Sequence, residues 1–471
     1  GGGGGGGGPQ PVTTGYVQAP PPQAFGIAGP QGDNFNGVRG EAQPKQFQDV
    51  FWAILFVTHL VVMLVVMVGL ASVGDDGDGG GGFPYSGVVW CVAVCALVSV
   101  GLSSMSLGFM TNFASELIKT ALVFSVFCSF VVGIAGAMTG NLWMAIIGFV
   151  SFALGCCYAY FAWPRIPFAA ANLRTALAAV KSNMGLTAVA YIFMFIAFGW
   201  SIWWTVTAGA AMSQVGTGVI FLFLLSYYWT HQVIQNTVHV TTAGVIGTWW
   251  FVPTEASSCW SQGLTDSFVR ATTYSFGSIC FGSFLVALVQ ALRALHRMAH
   301  ENDDCSFLIC LIDCILGCIE GILEYLNKWA YVYVGLYGYS YLEAGRNVMT
   351  LFRNKGWTAI ITDDLIDNVL SLVSLAIGLF TGLVGMFLGT IDRHTFGGIG
   401  YEDASFVGFI IGLLVGYLMS TIVMSVVGSA VNTVIVCFAE APAEFQTNHP
   451  QLSADMRMAW RQAWPGECAG L

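Results

Sequence analysis

The chain is 471 residues long, 56% hydrophobic and only 9% charged, against roughly 25% charged in a soluble globular domain, which excludes an ordinary soluble fold and points to an integral membrane protein. Its formal net charge of −10 comes with no Lys/Arg cluster, so a nucleic-acid partner is excluded. Apolar runs of about twenty residues recur, each enough to cross a bilayer as a helix, and the short alternating segments of an outer-membrane barrel are absent.

Residues 1–48 begin with eight glycines, continue Pro/Gln-rich and read as a disordered cytoplasmic tail. The chain does not start with Met, which hints at a start further upstream. A first span from Phe51 to about Ala71 carries His59, and the loop GDDGDGGGGFPYS after it has three Asp and no basic residue, placing it outside. Spans two (about Val88 to Met110) and three (about Thr120 to Met138) are joined through a cytoplasmic stretch, Thr111 to Lys119, where Glu116 and Lys119 are read as an interfacial pair. Span four is about Leu142 to Trp163. The loop after it, with Arg165, Arg174 and Lys181, is basic and expected in the cytoplasm, with 168–183 as an interfacial helix.

Span five, about Leu186 to Thr207, is followed by some 38 residues, 213–252, without acid, Lys or Arg. One straight helix of that length is about 57 Å long at 1.5 Å per residue, against roughly 30 Å of hydrocarbon. It either projects out of the membrane or forms a hairpin. Parity favours a hairpin bent near Thr230 to Asn236, because span eight (about Thr272 to Leu292) ends at Arg293, His296 and Arg297, which read as cytoplasmic. The loop Pro253 to Arg270 then lies outside.

Between Asp303 and Lys355 the apolar runs are interrupted by Asp313, Glu320, Glu324, Lys328 and Glu343, and 303–355 reads as amphipathic helices on the cytoplasmic leaflet. Cys310, Cys314 and Cys318 share a face there, for helix packing or palmitoylation. Spans nine (about Leu365 to Gly389) and ten (about Phe406 to Val436) carry glycine rows, Gly378, Gly382, Gly385 and Gly389 against Gly408, Gly412 and Gly416, spaced for close backbone approach. The fold class is thus an all-α polytopic membrane protein of about ten transmembrane helices, with a transporter domain over 49–438, amphipathic helices between spans eight and nine, a cytoplasmic tail over 439–471 and both termini cytoplasmic.

Functional interest centres on Ser226 to Phe251, where Tyr227, Tyr228 and Trp229 and then Trp249, Trp250 and Phe251 flank a polar stretch containing His231, Gln232, Gln235, Asn236 and His239. Polar groups persist in hydrocarbon only where they pair, line a cavity or act. Aromatic faces attract a quaternary ammonium, which has no hydrogen bond to donate. Tyr228, Trp229, Asn236, His239, Trp249 and Trp250 are therefore candidate substrate-binding residues for a small organic cation, although any of these rings also serves as an interface anchor. One cage holding both aromatic clusters is not expected; a site lined by one cluster and the Asn236–His239 face is. His59 and His239 are candidates for proton coupling. No GxSxG, HExxH, P-loop or paired CxxC occurs, so no enzyme activity, cofactor or metal is expected.

Three ordered stretches, YYWTHQVIQNTVHVTTAGVIGTWWF, ATTYSFGSICFGSFLVALVQALR and LNKWAYVYVGLYGYSYLEAGRNVMTLFRN, closely resemble the choline transporter-like family, in particular its fungal and protist branch related to the yeast pH-nine-sensitive protein. The residues that carry the resemblance include Tyr228, Trp229, Asn236, His239, Gly244, Tyr274, Gly277, Gly282, Asn327, Tyr331, Tyr337 and Gly338. It implies a ten-span transporter with cytoplasmic termini whose relatives carry choline. The main expectation is a carrier of choline or a related organic cation, set among membrane lipids of the plasma membrane, that works by alternating access and, lacking a nucleotide site, is sodium-independent or proton-linked rather than ATP-driven. The alternatives from other classes are a non-transporting membrane scaffold or signalling protein, and a channel or lipid-moving protein.

Overall fold

A computed structural model describes residue 1 and residues 45–71, 85–215, 219–299, 307–357, 365–391, 404–466 and 468. Most of the N-terminal tail, the acidic loop after the first span and the loop 392–403 lie outside the described residues. The described residues form helices α1 (Val50–Ala71), α2 (Tyr85–Met138), α3 (Leu142–Ala162), α4 (Ile166–Ser182), α5 (Gly185–Val215), α6 (Ile220–Phe251), α7 (Gln262–Thr272), α8 (Phe276–Ala299), α9 (Phe307–Tyr337), α10 (Tyr341–Lys355), α11 (Leu365–Ile391), α12 (Ala404–Glu440), α13 (Pro442–Asn448) and α14 (Pro450–Ala463). Among the described residues six helices are long and apolar enough to cross a membrane, in α2, α3 with α4, α5, α8, α11 and α12.

Two helix groups share the molecule. In one, α6, α8 and α9 pack on each other and α1, α5 and α10 pack around them; in the other, α11 and α12 form a pair with α2 against both and α3 against α2. The α11–α12 pair is the glycine contact read from the sequence. A Cβ on Gly385 would meet the Gly408 carbonyl and one on Gly412 the Thr381 carbonyl, so the two backbones touch. The turn between α2 and α3 follows from Gly140 at φ +72° and from Asn141, whose side chain accepts a hydrogen bond from Met144 N at 3.1 Å.

The expected cytoplasmic stretch between spans two and three is not a loop. α2 runs through it with a single non-helical residue, Phe113 (φ −117°, ψ 26°), as the break. Glu116 and Lys119 do pair, at 3.5 Å, on an exposed face.

The hairpin expected over 213–252 is also corrected: α6 is one continuous helix of 32 residues with no break near Thr230 to Asn236. Its excess length is accounted for by a folded cap. Asp49 Oδ2 accepts from Ser278 Oγ at 2.7 Å and from Tyr341 N at 2.9 Å, so α1, α8 and α10 all begin at one level. Tyr341 Oη reaches Asn327 Oδ1, so that level crosses α9 ten residues before its end. Beyond it α6, α9 and α12 continue together and become almost wholly buried, over Thr241 to Trp250, Trp329 to Tyr337 and Val426 to Ala439. There α4, α7, α13 and α14 enclose them. At about 48, 46 and 56 Å, these three helices of 32, 31 and 37 residues outrun a bilayer core; the surplus builds the cap.

This cap revises three expectations. α4, read as an interfacial helix, is buried along most of its length. The polar stretch after 439 folds into α13 and α14, with Phe445 and Trp460 fully buried. Within 303–355, only α10 is a surface-type amphipathic helix; α9 has its second half in the core.

The topology reading changes with it. Arg293 and Arg297 sit toward the end of α8 far from Asp49, so they do not share a face with the chain preceding α1. Arg293 pairs with Asp313 at 2.9 Å and with Glu320 at 2.8 Å, and Arg297 with Asp313 at 3.1 Å. Cations neutralised this way are weak markers of orientation, and the parity that demanded a hairpin disappears. The loop after α6 also changes ends: Asn183 Nδ2 donates to Ala256 O at 2.7 Å, which puts it beside the loop before α5, on the cap.

Candidate functional site

The polar face of α6 lies where the spanning helices enter the cap. It faces a gap between the two helix groups. The cavity there has a volume of about 460 Å³ and is walled by α6 (Gln232, Gln235, Asn236, His239), α9 (Glu324, Asn327, Lys328, Tyr331), α11 (Asp367, Ser371, Ser374) and α12 (Tyr417, Thr421, Ser425, Ser429, Asn432). That is within the range of small-ligand pockets. Apart from α12, the two groups meet little: α11 packs on α12, α2 and α4 but forms no comparable interface with α6 or α9 among the described residues.

Side chains around the cavity are tied to the scaffold. Asn236 Nδ2 donates to Ser283 Oγ at 3.0 Å and to Gln232 Oε1 at 3.3 Å. His239 Nδ1 lies 2.7 Å from Ser429 Oγ, joining α6 to α12. Asn327 Nδ2 donates to the Gly282 carbonyl at 3.1 Å, and Tyr331 Oη to the Ile279 carbonyl at 3.0 Å. Ser374 Oγ is buried with no partner among the described residues.

Of the six residues proposed from the sequence to bind substrate, Asn236 and His239 therefore meet in the cavity wall, and the other four stand elsewhere. Trp229 is buried between Phe56, His59 and Phe284, with ring centroids 5.1, 5.2 and 5.1 Å away, and its Nε1 donates to Cys280 O at 3.0 Å. Tyr228 is half-buried beside Tyr227. Trp249 stacks on His449 at 3.9 Å and Trp250 on Phe445 at 3.9 Å, with Trp250 Nε1 donating to Ala441 O at 3.0 Å. These last two belong to the cap, about 30 Å along α6 from Trp229. His59 Nε2 is 2.7 Å from Ser226 Oγ, against α6 but away from the cavity residues.

The cavity also holds charges that the sequence reading assigned to a membrane surface. Lys328 Nζ and Asp367 Oδ2 are 3.4 Å apart. Glu324 receives a 3.5 Å hydrogen bond from the Gln290 amide. The basic side chain near that end of α8, Arg293, is already engaged by Asp313 and Glu320. Two carboxylates and one ammonium leave the lining with one formal negative charge in excess. A signal for these residues existed: Glu320, Glu324, Lys328 and Tyr331 recur at helical spacing and so share one face of α9. The two tyrosines of the lining, Tyr331 and Tyr417, supply aromatic surface without any of the tryptophans. Among the described residues no group of His, Cys, Asp and Glu is arranged to hold a metal ion.

Comparison with known proteins gives the same region its lineage. A family model described as plasma-membrane choline transporter matches residues 144–443, which contain α6 and all of the cavity wall. A CTL-like protein of Dictyostelium discoideum is 27% identical over 80% of this chain and 70% of its own. Protein PNS1 of Mycosarcoma maydis is 27% identical over 92% of this chain and 87% of its own, and protein PNS1 of Gibberella zeae 32% over 50% and 48%. With a family model matched across well over half of its length, the chain belongs to the choline transporter-like family.

Proposed function

We propose that the protein carries a small organic cation of choline's class across a membrane, by movement of the two helix groups about the cavity between them. The observation that carries this reading is the excess negative charge of the lining. Glu324 attracts the cation, the faces of Tyr331 and Tyr417 stabilise an ammonium that cannot donate hydrogen bonds, and Asn236, Ser374, Ser425 and Ser429 meet a hydroxyl on the substrate. His239, which lies in the wall, is the better candidate for proton coupling; His59 lies against Ser226, away from the cavity. Trp229, Trp249 and Trp250 keep the scaffold in shape. The plasma membrane, named in the family description, is the proposed location.

Uptake of radiolabelled choline into proteoliposomes tests this. Uptake should exceed that of empty vesicles and be displaced by hemicholinium-type cations. Glu324→Gln should lower it roughly tenfold, as loss of a charged contact does, while leaving the melting temperature unchanged. Uptake equal to empty vesicles would favour a scaffold instead, and unchanged uptake in Glu324→Gln would remove the charge argument.

A further inference from the structure

A second, much smaller cavity of about 20 Å³ adjoins the first on the cap side, lined by Phe168, Asn172, Trp329 and Ile366 together with Lys328, Asp367, Gly428 and Asn432. The last four line the main cavity as well. They are the partition between the two. Lys328 stands on α9 and Asp367 on α11, so their ion pair bridges helix groups that have no comparable α9–α11 interface among the described residues.

From this placement we propose that the Lys328–Asp367 pair is the cap-side gate of the main cavity, and that Asp367 is a transient seat for the organic cation on its way through. The proposal rests on the transport reading of the cavity. Three features suit the pair to opening. Its side chains are 25% and 57% exposed, and a partly exposed ion pair contributes little stability, so parting it costs little. The Lys328 ammonium already lies 5.6 Å over the Trp329 ring, a surface on which it can rest once displaced. A monovalent cation that replaces it at Asp367 leaves the local charge unchanged, whereas an anion would face the carboxylate. Beyond the gate, Asn172 is fully buried with its side-chain nitrogen unpartnered among the described residues, while its oxygen accepts from Trp460 Nε1 at 2.9 Å. This leaves a polar group available to a single water molecule in the small cavity, which is too small for the cation itself until the partition parts.

Cysteine accessibility tests the gate without relying on transport. Ser425→Cys places a thiol in the main cavity, and a membrane-impermeant thiol reagent is applied from the face bearing α13 and α14, with modification of residue 425 followed by peptide mass spectrometry. Modification should be slow in this background and about two- to fivefold faster when Lys328→Met or Asp367→Asn is added, the population shift expected from loss of a partly exposed pair. The exchange of both, Lys328→Asp with Asp367→Lys, should restore the slow rate, which neither misfolding nor loss of one charge would do. Equal rates in all four proteins would overturn the gate. Choline uptake by the protein with Ser425, Lys328 and Asp367 unchanged separates the two readings: uptake with indifferent labelling in the cysteine series removes the gate alone, and gated labelling without uptake removes the carrier alone.

Discussion

His449 shows how a single side chain couples the cap to pH. Its ring stacks on Trp249 and its Nε2 lies 3.2 Å from the Trp249 carbonyl, at the cap end of α6. Burial against the indole holds its pKa below the usual 6.5, with the contact to the Trp249 carbonyl pulling the other way. The folded protein therefore resists protonation while the unfolded chain takes up a proton, so the contribution of His449 is present above about pH 6.5 and is lost as pH falls below it. Thermal melts between pH 7.5 and 5.5 should show a loss of stability that is smaller in His449→Phe, which keeps the stack. A variant that loses the same number of degrees on acidification would show that other groups control the acid response. The tryptophans of this region illustrate a limit of residue-scale reading. Sequence alone gives Trp249 and Trp250 the composition of a cation cage, and only the partners Phe445, His449 and Ala441, some two hundred positions away, show what they bind.

At the scale of elements, the α11–α12 pair was legible because its cause is local. Four glycines in one helix and three in the next, at spacings of three and four, permit little except close packing of backbones. Substitution should be correspondingly costly. In Gly412→Val the new side chain must occupy the place of the Thr381 carbonyl, and neither backbone can withdraw without parting the pair. A destabilisation of about 1–3 kcal/mol or more is expected for such overpacking, read as a lower melting temperature in detergent; Gly321→Val on α9, where nothing lies within 4 Å of the added Cβ, is the control. Equal melting of the two would contradict the close approach. α6 and α9 were harder to read for the opposite reason. Whether Thr237 to Thr248 stand in lipid, water or protein depends on what other helices bring to them, and hydropathy does not report it. The acids and lysine of α9 read as surface residues because a window average cannot tell water from a cavity or from Arg293.

For the molecule as a whole, the cap alters the path of the chain through the membrane. Taken with the shared level of Asp49, Ser278 and Tyr341, and with Tyr333 and Tyr337 both donating to Glu440, the ends of α6, α9 and α12 lie on the face from which α1 starts. On this arrangement we expect α6 to cross once and α9 to cross as well; six helices among the described residues are long and apolar enough to cross by themselves. In that path α9 takes the place of the hairpin's second limb. This makes a prediction that separates the two paths. An epitope inserted after residue 303, between α8 and α9, should be exposed on the face opposite to an epitope at the C-terminus, as should one at Gly140 in the α2–α3 turn. Under the hairpin path residue 303 would share the C-terminal face. Antibody access to intact and permeabilised cells distinguishes them, and co-exposure of the 303 and C-terminal epitopes would return α9 to the membrane surface, leaving Glu324 and the cavity wall without the helix that supplies them.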